Sequence, residues 1–248
     1  MRVAVLSDLH ANPFALDAVL EDLPHDVDTA VCLGDVAIGP FPNEAIWRLR
    51  ELDCPVVMGN WDAWLLDGVP DLGGEVGPRL QVQGEWCSTR LDREDRAFLR
   101  TFEPRVEIAL DGTSGLFFHG SPRSFTDLLL PDVSRAELDH ALAGVHADLF
   151  VAGHTHLQML RRRPDSLFAN VGSVGLPFSE GPSGGSLRVS RWAEYAIATV
   201  DARGLTLEFR RVSYDVEEML SAARASGMPH ADWWASCWTD GLAYLEGQ

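Results

Sequence analysis

The chain contains no lysine. All 20 of its basic residues are arginine, set against 37 acidic residues, and the net charge is −17. Schiff-base catalysis and a P-loop are thereby excluded, since each needs a lysine amine. The shortage of positive charge also speaks against stable nucleic-acid binding, because an acidic surface repels the phosphate backbone. No apolar run approaches the ~18–20 residues of a membrane span. "MRVAVLSDLH" reads as a buried strand running into a carboxylate rather than as a signal peptide. Cysteine is scarce: Cys32, Cys54, Cys87 and Cys237 form no C-x-x-C pair. Cys32 and Cys54 sit in apolar runs, which suits buried free thiols in a reducing compartment. A cytoplasmic protein without membrane attachment is the expectation. Internal repeats and low-complexity tracts are absent.

What is present is a core-forming sequence. Apolar residues make up 46% of 248 positions, enough for one large domain. "RVAVLSD" (2–8) is an apolar run ending in aspartate. "PFALDAVLEDL" (13–23) has helical spacing and a proline suited to a first turn. "TAVCLGD" (29–35) repeats the first pattern, and "NEAIWRLREL" (43–52) predicts a helix capped by Asn43. "CPVVMGN" (54–60) reads as a third apolar strand. Strand, helix, strand, helix, strand implies βαβ units and a parallel sheet.

Residues 61–103 read as a small, mostly helical insertion, with an acidic first turn at Asp92–Asp95. "RVEIAL" and "GLFFHGSP" predict a hairpin around "DGTSG". "SRAELDHALAGV" predicts a helix with Ser134 and Glu137 as a capping box. "ADLFVAGHTH" (147–156) is again an apolar strand running into histidines. Beyond 157, "LQMLRR", "SLFANVG", "EYAIATVD" and "LTLEFRRV" read as antiparallel strands. "PSGGS" (182–186) reads as a mobile loop. Helices are expected at 215–227 and 231–247.

Each apolar strand delivers ligand-type side chains at its C-terminal end, where open α/β sheets build their sites. The set is Asp8-x-His10, Gly34-Asp35, Gly59-Asn60, His119-Gly120 and Gly153-His154-Thr155-His156. Alone, an aspartate after a strand is as readily a cap, and a lone histidine is as readily a buried structural one. On a continuing strand His154 and His156 would point to opposite sides, so a bend at Gly153 is expected to let both aim at neighbouring ions. Mixed carboxylate, imidazole and amide donors suit Mn, Fe, Zn or Ni better than an all-oxygen cage. The other histidines, His25, His140, His146 and His230, read as surface or structural.

In order and spacing these blocks resemble the calcineurin-like metallophosphoesterases, over roughly residues 1–213. The resemblance implies a four-layer α/β/β/α sandwich of two mixed sheets flanked by helices, with the metal site at the strand C-terminal rim. Residues 214–248 would then be a C-terminal helical extension packed on that domain. It further implies two divalent ions, Mn favoured: Asp8, His10 and His156 on one, Asn60, His119 and His154 on the other, Asp35 bridging. Asp8, Asp35, Asn60 and His119 would carry the chemistry. The implied reaction is hydrolysis of small or nucleotide phosphodiesters by a metal-bridged hydroxide. A nucleotide pyrophosphohydrolase, a phosphomonoesterase and a non-catalytic scaffold of the same fold are the alternatives.

One block departs from the family. Its G-N-H histidine, which assists the leaving group, is here Trp61, and tryptophan cannot act as an acid. Losing the acid hurts poor leaving groups most, which favours activated diesters. Asp62 reads as a support for a metal ligand or as a turn residue. Softer substrate-contact candidates are Asn12, Trp61, Arg123 and Asn170. Trp61, Trp64 and Trp86 could form an aromatic wall, and "WWASCW" reads as core or dimer packing. A homo-oligomer is possible.

Overall fold

A computed structural model describes residues 1–179, 186–239 and 242–243. In chain order the strands and helices are β1 (Arg2–Leu6), α1 (Pro13–Asp22), β2 (Thr29–Cys32), α2 (Pro42–Leu52), α3 (Asn60–Asp67), α4 (Gly77–Arg90), α5 (Arg93–Leu99), β3 (Arg105–Leu110), β4 (Thr113–Phe118), α6 (Arg135–Ala141), β5 (Leu149–Ala152), β6 (Met159–Arg162), β7 (Leu167–Asn170), β8 (Ser186–Leu187), β9 (Trp192–Asp201), β10 (Gly204–Ser213), α7 (Val216–Ala225), α8 (Ala231–Ser236) and β11 (Leu242–Ala243). They build two mixed sheets, ordered β10-β9-β1-β2 and β3-β4-β5-β7-β6, and a small antiparallel pair of β8 and β11.

The strands read as unbroken apolar runs because both faces are covered. In β1, Val3 and Val5 join Val31, Phe117, Leu149 and Val151 in the layer between the sheets. The alternate residues Ala4 and Leu6 pack with Leu16, Val19, Ile46 and Leu49 of α1 and α2. On the far side, Leu116, Phe118, Phe150 and Phe168 bury Leu138 and Ala141 of α6. The result is the expected order of helices, sheet, sheet, helix. A further apolar cluster joins α7 and α8 through Met219, Leu220, Trp234 and Trp238.

Local differences from expectation have physical causes. The run at 54–60 contributes bridges at Val56 and Val57 rather than a full strand, since Pro55 has no N–H to give a ladder. Helix α2 starts one residue early, behind Phe41, and Asn43 instead donates to the Arg90 carbonyl and to Asp95. The helical stretch near 85–102 breaks at Asp92, whose carboxylate caps α5 by accepting from Glu94 and Asp95. β7 runs parallel to β5, so the later strands are not all antiparallel. Of the loop expected at 182–186, only Ser186 falls among the described residues, in β8. Of the helix expected at 231–247, only 231–236 is helical; 240–241 and 244–247 lie outside the described residues.

Candidate metal centre

Main-chain bonds lace the loop after β1 to the loop after β2, and the loop after β5 to the end of β4. Asp8 N donates to Gly34 O (2.9 Å), His10 N to Asp35 O (3.0 Å) and Gly153 N to His119 O (2.9 Å). Their backbone is strained. Asp8, His10, Asp35, His154 and His156 all have left-handed φ, between 46° and 68°. Such conformations cost about 1–3 kcal/mol each and persist only where the surroundings enforce them. The expected bend at Gly153 is therefore misplaced, because the two histidines themselves take the left-handed turn. Gly153 supplies space instead: a Cβ there would lie 1.9 Å from Ser7 Oγ and 2.7 Å from Asp8 Oδ2. Gly59 is packed in the same way against Asp35, whose Oδ1 would be 2.2 Å from its Cβ.

Two groups of ligand-type atoms result, Asp8–His10–His156 and Asp35–His119–His154, each with its atoms within 4.8 Å of one another. Asp35 Oδ2 lies 3.6 Å from His119 Nε2 and 3.9 Å from His10 Nε2, between the two groups. Asn60 Oδ1 is 3.0 Å from His119 Nε2. Backbone carbonyls set the tautomers. His119 Nδ1 donates to Leu33 O (2.6 Å) and His156 Nδ1 to Leu176 O (2.7 Å). Each ring thereby turns Nε2 inward. His156 Nε2 is 3.1 Å from Asp8 Oδ1 and 3.1 Å from His10 Nε2.

Asp8 Oδ2 accepts from Ser7 and from the His154 amide, while Oδ1 is buried with no hydrogen-bond partner among the described residues. An orphaned carboxylate oxygen facing inward lone pairs is unfavourable unless a cation lies between them. The residues present therefore fit a metal, and the donor set of imidazole, carboxylate and amide suits a transition ion.

The titrations follow from crowding. Burial, with His156 next, holds His10 down at about 4. Burial, with His119 next, does the same to His154. Burial also acts to lower His119, but Asp35 and Asp8 outweigh it and lift the ring to about 9. Burial acts to raise Asp8, yet the surrounding histidines, His156 foremost, hold it well below the usual carboxylate range. Asp62 goes the other way, pushed up to about 7 by burial and by the Asp35 charge.

Asp62 is fully buried and braces the loop that presents Asp35. Its carboxylate accepts from the amides of Asp35 (2.7 Å), Val36 (2.9 Å) and Gly59 (3.2 Å). Three of the softer candidates have other work. Asn12 caps α1 by accepting from Ala15 N and donates to Gly175 O and to Tyr214. Asn170 is buried, donates to Gly153 O and to Thr155 Oγ1, and accepts from Gly172 N, so it struts the histidine turn. Arg123 lies outside the cleft, with its guanidinium donating to the His140 carbonyl. These three side chains are thus engaged within the protein, and none of them is among the residues that line the cleft. Trp61 does line the cleft, and its amide donates to Asp35 Oδ1 (2.8 Å). Trp64 packs on it edge-to-face at 5.0 Å. Neither Trp64 nor Trp86 lines the cleft.

The cleft over the cluster measures about 300 Å³. Sequence reasoning missed much of its wall. Phe178 stacks on His156 at 4.5 Å, and Trp233 and Trp234 line the cleft from α8. The density of tryptophan in the tail was a signal, but nothing in its spacing distinguishes a core from a cleft wall.

Fold and cluster together define a class: an α/β sandwich that carries two candidate metal-ligand groups at its strand ends. Residues 1–198 match the sequence model of the calcineurin-like phosphoesterase superfamily domain, and the chain belongs to that superfamily, whose members are metal-dependent. It is 27% identical over 230 residues to an uncharacterised protein of Methanocaldococcus jannaschii, covering 87% of this chain and 89% of that one. A metallophosphoesterase from Sphaerobacter thermophilus superposes with a TM-score of 0.71 at 27% identity, covering 93% and 96% of the two chains. A hypothetical protein from Pyrococcus horikoshii shares the fold with a TM-score of 0.80 at 21% identity, covering 98% and 99%. No helix among the described residues is long and apolar enough to cross a membrane.

Proposed function

We propose that this chain is a binuclear metal-dependent phosphodiesterase acting on small or nucleotide phosphodiesters. The observation that carries the reading is Asp35, one carboxylate within 4 Å of an imidazole from each ligand group. Asp8, His10 and His156 would hold one ion, and Asn60, His119 and His154 the other, with Asp35 shared. When bound, a pair of divalent ions polarises phosphoryl oxygens and acidifies a water to near neutrality. The transition-type donor set favours manganese or a similar ion.

The protein's own residues do the positioning. Leu33 and Leu176 carbonyls fix the imidazole tautomers. Asp62 and Trp61 amide contacts fix Asp35. His154 is neutral at physiological pH, and it is the ligand-type residue left partly open to the cleft. Trp61 stands where the family histidine would assist departure, so the leaving group receives no proton from that position. Diesters with acidic leaving groups follow as the preferred class. The free cysteines agree with a reducing, cytoplasmic setting.

The test is turnover of bis-p-nitrophenyl phosphate against p-nitrophenyl phosphate with Mn²⁺, Zn²⁺ or Fe²⁺ added. Metal-activated hydrolysis with the diester preferred is expected. Metal binding without turnover of any ester would move the chain to the scaffold reading.

A further inference from the structure

The cleft wall beside the ligand cluster is apolar and, among the described residues, carries no cation. Trp61, Val76, Leu80, Phe178, Trp233 and Trp234 form it. None of the chain's arginines is among the lining residues; Arg79 meets the Trp233 ring at 5.4 Å from outside that set. Leu128 stands at the lip, 61% exposed. A second phosphate or a carboxylate on the substrate would have to lose its hydration against this wall with no partner to replace it. An uncharged flat ring meets the opposite situation, since aromatic walls reward ring burial and stacking.

One amide interrupts the apolar surface. Gln83 is 2% exposed, and its Nε2 is held by the Pro229 carbonyl at 2.9 Å. Oε1 receives no hydrogen bond among the described residues, so it is the atom left to accept from a ring N–H or O–H. At about 300 Å³ the space lies at the small end of ligand pockets, which run from about 300 to 1,000 Å³. It suits one ring system beside the phosphoryl group.

We propose that the cleft selects phosphoesters whose non-leaving arm is an uncharged aromatic ring, with α4 and α8 acting as the specificity wall. The inference rests on the phosphoesterase reading of the cluster. It disfavours dinucleoside polyphosphates and other substrates whose distal arm is anionic.

The experiment uses three p-nitrophenyl diesters with a common leaving group and a phenyl, methyl or 3-carboxypropyl second arm. With the Mn²⁺-loaded protein, kcat/KM for the phenyl arm is expected to exceed both others by about tenfold or more. Trp233→Ala should shrink the phenyl-to-methyl ratio several-fold. Leu80→Arg should raise the carboxypropyl-to-phenyl ratio, a gain that a poorly folded variant would not give. Calorimetric binding of phenylphosphonate against methylphosphonate reads the same preference without turnover. Turnover with equal kcat/KM for phenyl and methyl arms would overturn the wall proposal and leave the phosphoesterase reading standing. Absence of all turnover, with phenylphosphonate still bound more tightly, would do the reverse. Equal binding of the two phosphonates also overturns the wall proposal.

Discussion

His119 holds a proton that a metal bound through its Nε2 would have to displace. Its Nδ1 is committed to the Leu33 carbonyl, so the displaceable proton sits on Nε2, beside Asn60 and Asp35. Asp35 and Asp8 lift the ring to about 9 against the pull of burial. At pH 8 the ligand-type histidines His10 and His154 are long since neutral at about 4. Asp62, at about 7, is mostly ionised. His119 is then the group that releases about one proton per metal-loaded site. Isothermal titration calorimetry with Mn²⁺, in buffers of different ionisation enthalpy, counts that proton. The wild type should release about one proton more than His119→Gln, and its affinity should rise about tenfold per pH unit until pH ~9. The same raised ring stabilises the metal-free fold below pH 6.5, and that stability is lost as pH rises through about 9. A shift from 6.5 to about 9 corresponds to about 3 kcal/mol. Urea denaturation of chelator-treated protein at pH 6.5 and pH 9 reads it. Equal proton release by wild type and His119→Gln, with affinity flat from pH 7 to 9, would refute the reasoning.

Other perturbations test the scaffold around the ligands. His154→Ala should lower metal-dependent turnover by more than the about 100-fold typical of outer-sphere changes, at about 1 kcal/mol of stability because the side chain is partly open; full activity in this variant would remove His154 from the ligand set. Asp62→Asn leaves a single side-chain oxygen for three buried amides, at about 1–3 kcal/mol for each donor left unsatisfied, and an unchanged urea midpoint would show that the brace is dispensable. Gly153→Ala drives a methyl into Ser7 and Asp8, so Mn²⁺ affinity should drop at least about tenfold while far-UV circular dichroism holds; unaltered affinity would contradict the close packing. Asn170→Ala strips partners from Gly153, Thr155 and Gly172 and should weaken metal binding through the loosened turn, a loss that Asn170→Asp restores only in part.

Much of this was legible in the sequence because strand-end chemistry has a linear signature. An apolar run buried on both faces, then an aspartate, marks β1 and β2 without any partner information. Similar runs at β4 and β5 lead into His119 and into His154 and His156, the remaining members of the two candidate groups. What the sequence hides is what a side chain is already doing. Asn12 and Asn170 are the residue type that contacts phosphate, and equally the type that caps a helix or struts a turn. The neighbours Ala15, Gly153 and Gly172 reveal the capping and strutting contacts, and they are set by the fold. The turn at 153–156 was misjudged for a related reason. Glycine signals left-handed backbone, yet here histidines take that conformation and the glycine provides clearance.

The tryptophan at 61 shows how the cluster can stand whichever side chain occupies that position. The contact that matters to Asp35 at this position is the backbone amide, 2.8 Å from Oδ1. Any residue except proline supplies it. The side chain is thus free to vary without disturbing the ligands, and in this chain it has become wall. It packs at 8% exposure against Trp64 and beside the helices that face the cleft. Exchanging imidazole for indole removes an acid and adds apolar surface at one stroke. A substrate that needs no acid and carries a ring answers both changes. Trp61→His therefore separates the two effects. It should speed hydrolysis of diesters with poor leaving groups while weakening the preference for an aromatic arm, both read from kcat/KM across p-nitrophenyl and alkyl esters. A variant that gains on neither measure, with metal affinity intact, would show that this position governs neither step.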